Sequence, residues 1–243
     1  MGTAEKLSKI AENEIKVYEA GKQAEYDRFW DTLQDNGNRT DYNFGFSSSI
    51  WPQETFKPKY PIKPTQAANI FGYWGYSYWK ETIDFRNFDI DFSNCTSFPN
   101  AFTMNRQISA VGIIDASHAN TSSVTGLFNE TRNLKIVEKL ILRGDGSQTF
   151  SNTFNQCNSL ENIVFEGVIG KNIGFGQSPL SKDSITSIVN HLSETATGQT
   201  LTLKKSAVNE AFSINVDDES TYPEGSEYYT LRHSKDNWTF SYI

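Results

Sequence analysis

Three carboxylates, Asp84, Asp89 and Asp91, fall in one short stretch, interleaved with Phe85, Phe88, Ile90 and Phe92. Two carboxyl groups flanking a glycosidic bond are the machinery of glycoside hydrolysis, provided an apolar pocket keeps one of them protonated. A carbohydrate-active hydrolase using Asp84, Asp89 and Asp91 is therefore one reading of the chain. The same alternation of Asp and Phe also describes an edge strand with one wet face, and that reading is preferred.

The other reactive residue types are scattered. His118, His191 and His233 are the three histidines, and they are too far apart in sequence to suggest a metal site. Asp217, Asp218 and Glu219 could offer oxygens to calcium, but they lack the spacing of a calcium loop and read as a solvated turn. Cys95 and Cys157 cannot build a disulfide framework, and as nucleophiles they would need exposure and an adjacent base. No Gly-x-Ser-x-Gly elbow, P-loop or dinucleotide fingerprint occurs. The expectation is a chain that is not an enzyme and uses no cofactor or metal. One segment could bind a ligand: Tyr73, Trp74, Tyr76, Tyr78 and Trp79. Exposed, these rings would form a platform for sugars or a protein surface; buried, they would close the end of a repeat array, which is the preferred alternative.

Charge and composition narrow the partners. With 22 basic against 29 acidic residues in 243, the net charge is −7, the wrong sign for a nucleic-acid binder. No apolar run is long enough to insert in a membrane. The N-terminal residues read as a charged helix without the apolar region of a secretory signal.

Several elements can be placed from residue pattern. From Thr3 to about Asp35 there is no proline, and Leu7, Ala11, Ile15, Tyr18, Tyr26, Phe29 and Leu33 follow a helical stripe. Asp35-Asn36-Gly37-Asn38 should end that helix. Residues 36–66, with four prolines and Trp51, Phe56 and Tyr60, read as an extended strap lying on a surface. Near the C-terminus, Ser181 should cap a helix lined by Ile185, Ile188, Val189 and Leu192. Thr200–Leu203 reads as a strand and Ser206–Phe212 as a short helix. Residues 228–232 and 238–242 look like a closing hairpin.

From Phe92 the chain is periodic. Phe92, Phe102, Phe128 and Phe154 each begin a motif with a small or polar residue three positions on (Cys95, Asn105, Thr131, Cys157) and a large apolar residue three further (Phe98, Ile108, Leu134, Leu160). The last three motifs lie 26 residues apart, a spacing characteristic of a solenoid. A β-branched run follows each of them, at 110–114, 137–142 and 163–165. One such unit cannot bury its own apolar face, so neighbouring units must stack, with the Phe residues forming one column and the Ile/Leu residues another. The residue three after each Phe should turn inward at a bend and hydrogen-bond a stranded backbone group.

The run Phe154-Asn-Gln-Cys-Asn-Ser-Leu-Glu-Asn-Ile163 resembles the irregular leucine-rich repeats of BspA-like proteins. The leading helix, the Phe29-Trp-Asp31 stretch, the Phe56-Lys-Pro-Lys-Tyr60 strap and the closing Asp236-Asn-Trp-Thr-Phe-Ser-Tyr-Ile243 are similar to a group of phage- and prophage-encoded proteins of gut Firmicutes. The resemblance implies an α+β fold: a short leucine-rich-repeat solenoid at 67–177, behind an N-terminal helix (1–35) and the strap (36–66), and closed by a C-terminal α+β cap (178–243). It also implies a tail- or fibre-associated protein recognising a host-surface protein or glycan; an intracellular protein-interaction module using the same repeat face is the alternative. Such a protein would be found in the virion, or in the host cytoplasm before lysis. Other virion proteins, or further copies of the chain in a homotrimer, would engage the first half of the N-terminal helix, while Tyr26–Leu33 docks on the body.

Overall fold

The computed structural model describes residues 3–42, 58–73 and 82–243. Within them the chain winds into a parallel solenoid. Strands β1 (Ile83–Asp84), β2 (Ile108–Asp115), β3 (Ile136–Ile141) and β4 (Asn162–Glu166) lie side by side in sequence order, all parallel. Strands β5 (Ile173–Phe175), β6 (Gln199–Leu203) and β7 (Trp238–Tyr242) form a second parallel sheet. The strap joins the first turn, where Ile62 bridges Ile90 and Gln66 bridges Ser97.

The expected phenylalanine column is present and longer than the repeat motif announces. Phe102, Phe128 and Phe154 stack with ring centroids 5.4 and 5.8 Å apart. Phe71 extends the column at one end, 5.3 Å from Phe102, and Phe175 at the other, 4.4 Å from Phe154. Ile108, Leu134 and Leu160 are fully buried as well. Each Phe N–H from 71 to 128 donates to the carbonyl just before the next Phe of the column: Phe71 to Ala101, Phe102 to Leu127 and Phe128 to Thr153, at 2.7–2.9 Å.

The column is held by two kinks per turn. Two residues before each Phe, the backbone is left-handed at Asn69, Asn100, Gly126 and Asn152; two residues after, it is left-handed again at Tyr73, Met104, Glu130 and Gln156. Asn and Gly tolerate that conformation, so the first series is visible in residue type. The residue three after the Phe then turns inward, as its polarity suggests. Asn105 Nδ2 donates to the Phe71 carbonyl at 2.9 Å, Thr131 Oγ1 to Phe102 at 3.0 Å and Cys157 Sγ to Phe128 at 3.1 Å. Three different side chains thus satisfy the same backbone acceptor in successive turns.

Two expectations are corrected. The Phe92 motif is not one of the stacked repeats. Only ten residues separate it from Phe102, so it lies at another corner of the same turn, where Phe92 meets Phe102 edge-on at 6.2 Å and Cys95 donates to the nearby Ser97 carbonyl. Nor do 228–232 and 238–242 form a hairpin. Glu227–His233 is a helix, capped by Ser226, whose hydroxyl accepts from Tyr229 N, and β7 pairs parallel to β6. A solenoid advances in one direction, so its last strand is paired by winding round once more rather than by turning back.

After β4 the strand side of the solenoid becomes helical. Helix α2 (Lys182–Asn190), with Ser181 as N-cap, buries Ile185, Ile188 and Val189. It also closes the edge of β4: Ser184 Oγ accepts from Ile163 N, and Ser187 Oγ from Phe165 N, both at 2.9 Å. Helix α3 (Lys205–Phe212) and helix α4 (Glu227–His233) complete the C-terminal end, where Tyr228 packs against Phe212 and Tyr222.

Helix α1 (Thr3–Leu33) docks by its last turns, as the sequence suggests. Trp30 and Gln34 are buried, and Phe29 and Leu33 pack on the core. Gln34 makes two bonds to the strap backbone, donating to Tyr60 O at 2.8 Å and accepting from Tyr60 N at 3.0 Å. Asp31 accepts from Tyr60 Oη and Lys59 Nζ, both at 2.8 Å. Residues 12–25 are exposed along their whole length, Ile15, Val17 and Tyr18 included.

Candidate binding surfaces

The aromatic segment is described only at its beginning. Phe71, just before it, is core. Tyr73 is half exposed, in left-handed conformation, and its N–H donates to the Thr103 carbonyl at 2.7 Å. It therefore stands on the outside of the first turn. Trp74, Tyr76, Tyr78 and Trp79 lie outside the described residues.

Two of the three carboxylates of the acidic stretch are engaged in local hydrogen bonds. Asp84 grips the Arg86 guanidinium, accepting from Nε at 2.9 Å, and accepts the Arg86 backbone N–H as well. The Arg86 hydrogen bond holds the Asp84 carboxyl below its ordinary range. Asp91 accepts from Ser93 N at 2.9 Å, and that bond lowers it too. Asp89 is exposed, and its backbone carbonyl receives the Ile62 N–H of the strap. The stretch forms the short edge strand β1 and a 3-10 turn at Phe85–Asn87.

Several other titratable groups have partners within the fold. Asp217 pairs with Lys205 at 2.7 Å, and Asp218 caps Ser220. His191 Nδ1 lies 2.7 Å from its own helix carbonyl at Ser187, and His233 sits on Tyr229 beside Asp236. Cys95 and Cys157 are buried free thiols; burial pushes the Cys95 pKa up to about 11 and that of Cys157 higher still. Among the described residues, no three His, Cys, Asp or Glu side chains cluster as metal ligands, and no helix is long and apolar enough to cross a membrane.

What the solenoid does offer is flat, regular surface. On the outer face of β2–β4, Ile113 and Val164 are 54% and 47% exposed. Ion pairs run across the strands beside them: Arg86 to Glu138 at 3.8 Å and Lys139 to Glu166 at 3.1 Å. On the flank that carries the kinks, polar side chains form a ladder with the repeat period, Asn155 Nδ2 donating to Asn129 Oδ1 at 2.9 Å and Asn129 Nδ2 to Thr103 Oγ1 at 3.4 Å. Sequence reasoning named neither surface: outward positions on the sheet vary from turn to turn, while Thr103, Asn129 and Asn155 do follow the column Phe at the repeat period. No known protein family, curated protein or solved structure matches the chain.

Proposed function

We propose that this chain is a non-catalytic binding protein of leucine-rich-repeat type, carried by a phage or prophage particle as a tail- or fibre-associated component, and that it recognises a host-surface protein or glycan. The observation that carries the reading is the outer face of β2–β4. Its strands are paired in parallel, with one irregularity in register between Val137 and Leu140, and it keeps Ile113 and Val164 exposed between cross-strand ion pairs. Scattered exposed apolar residues are ordinary, but two on one flat sheet ringed by charges suit an apolar centre with a polar rim. Residues 12–25 of α1 supply a separate exposed element for other virion proteins or for copies of the chain.

Two measurements test this. Particles induced from the host and banded by density should contain the chain at a fixed stoichiometry. The purified protein should bind host envelopes, and Ile113→Glu or Val164→Glu should weaken that binding at least about tenfold with the fold intact. A chain absent from particles, or envelope binding indifferent to both variants, refutes the corresponding half of the proposal.

A further inference from the structure

The two turns that meet at residues 149–155 and 171–177 are joined differently from the others. Among the described residues, no backbone hydrogen bond crosses between these two runs, whereas three cross from 100–104 to 125–129 and three from 126–130 to 151–155. The core nevertheless continues, since Phe154 and Phe175 stack. At the neighbouring corner the turns are pressed together: a Cβ on Gly170 would lie 2.2 Å from the Gly146 carbonyl oxygen. The turns therefore touch at the corner and part beside it. The parting is a groove of about 560 Å³, within the size range of small-ligand sites.

Its lining sets amide and hydroxyl groups among a larger share of apolar surface, and part of it is locked. Asn172 Oδ1 accepts from Thr200 N at 2.7 Å, and Gln199 Oε1 accepts from Asn172 N at 2.9 Å. Because backbone N–H groups can only donate, both oxygens are fixed in place, and the Asn172 NH2 must face away from the strand. Ser151, Thr200 and Thr202 add hydroxyls, and Phe150 and Ile173 are buried beneath. Among the described residues that line the groove, Lys171 is a cation and none is a carboxylate, in a chain of net charge −7. Gly174, exposed at the centre, leaves the floor bare: a Cβ there would meet nothing nearer than Thr202 Cβ at 3.8 Å.

We infer that this groove binds an acidic oligosaccharide, whose hydroxyls pair with the amide and hydroxyl groups and whose acidic substituent faces Lys171. The inference rests on the reading of the chain as a binding protein and names a ligand class for it.

The test is calorimetric titration of the full chain with trigalacturonate, and with chitotriose as a neutral counterpart. Trigalacturonate is expected to bind more tightly than chitotriose. Gly174→Leu should weaken it at least about tenfold by filling the floor, and Lys171→Gln should erase the preference for the acidic sugar. Thr202→Val, which alters no volume, serves if the leucine variant fails to fold, and should weaken binding in the same direction. No binding of either sugar, or equal binding by wild type and both floor variants, overturns the inference. Binding lost in Ile113→Glu but kept in Gly174→Leu also overturns it, while leaving the chain a binding protein on its sheet face.

Discussion

Phe128 is the middle ring of the stacked column, and its removal is the sharpest test of the solenoid's energetics. The side chain is fully buried, with a stacked ring on either side at 5.4 and 5.8 Å. Truncating a buried Phe to Ala costs about 3–5 kcal/mol through lost transfer energy and the cavity left behind. Each stacked aromatic pair adds about 0.5–1.5 kcal/mol beyond area, and Phe128 loses two. Phe128→Ala should therefore fall in the upper half of the range, about 4–5 kcal/mol. Phe128→Leu, which keeps most of the volume, should recover about half of that. Urea unfolding gives the measurement, followed by far-ultraviolet circular dichroism and by tryptophan fluorescence. Trp30 and Trp238 are both buried and lie near opposite ends of the chain, so a weakened middle should also make the two probes separate, as neighbour-coupled arrays do. A loss below about 1.5 kcal/mol with an unchanged slope would refute the stacked column as a main support of the fold.

Thr131→Val keeps the shape but removes one of two bonds to the buried Phe102 carbonyl, which still accepts the Asn105 N–H, and should cost about 0.5–1.5 kcal/mol, while Thr131→Ser should cost less; the same urea titration reads both. Gly170→Ala forces apart two backbones already in contact and should destabilise by about 1–3 kcal/mol, despite being the mildest change of side chain. Cys157 should resist a thiol reagent in native buffer and react on unfolding, since it is buried with a raised pKa; fast native labelling would contradict its place in the column. Asp31, Asp84, Asp91, Asp145 and Asp218 all have folded pKa values held below the ordinary carboxylate value, by Lys59, Arg86, Ser93, Arg143 and Ser220 respectively. Groups depressed in this way stabilise above the unfolded pKa and stop doing so as pH falls through the folded one. The midpoint of urea unfolding should therefore hold steady from neutral pH down to about 5 and decline below about 4; a midpoint that rises on acidification would refute the assignment.

The sequence alone determined the period, the Phe column from 102 to 154, the burial of Ile108, Leu134 and Leu160, the three parallel strands and the inward polar residues at 105, 131 and 157. It could do so because a solenoid buries the same position in every turn, so the core writes itself as a repeat. It also determined the docking of α1 by its last turns, through the weight of Phe29 and Trp30. Half of the kink pattern was legible in Asn100, Gly126 and Asn152; the other half, at Met104, Glu130 and Gln156, was not, because those residue types carry no sign of a left-handed backbone. Tertiary structure decided the rest. Glu227–His233 reads as strand from its tyrosines and threonine, yet it is helical because Ser226 caps it and Tyr228 finds Phe212 and Tyr222. Phe71 and Phe175 belong to the column although neither carries the full motif, since what places them is the stacking of whole turns. The groove at Gly174 depends on how closely two neighbouring turns approach at Gly146 and Gly170, a distance that no local pattern encodes.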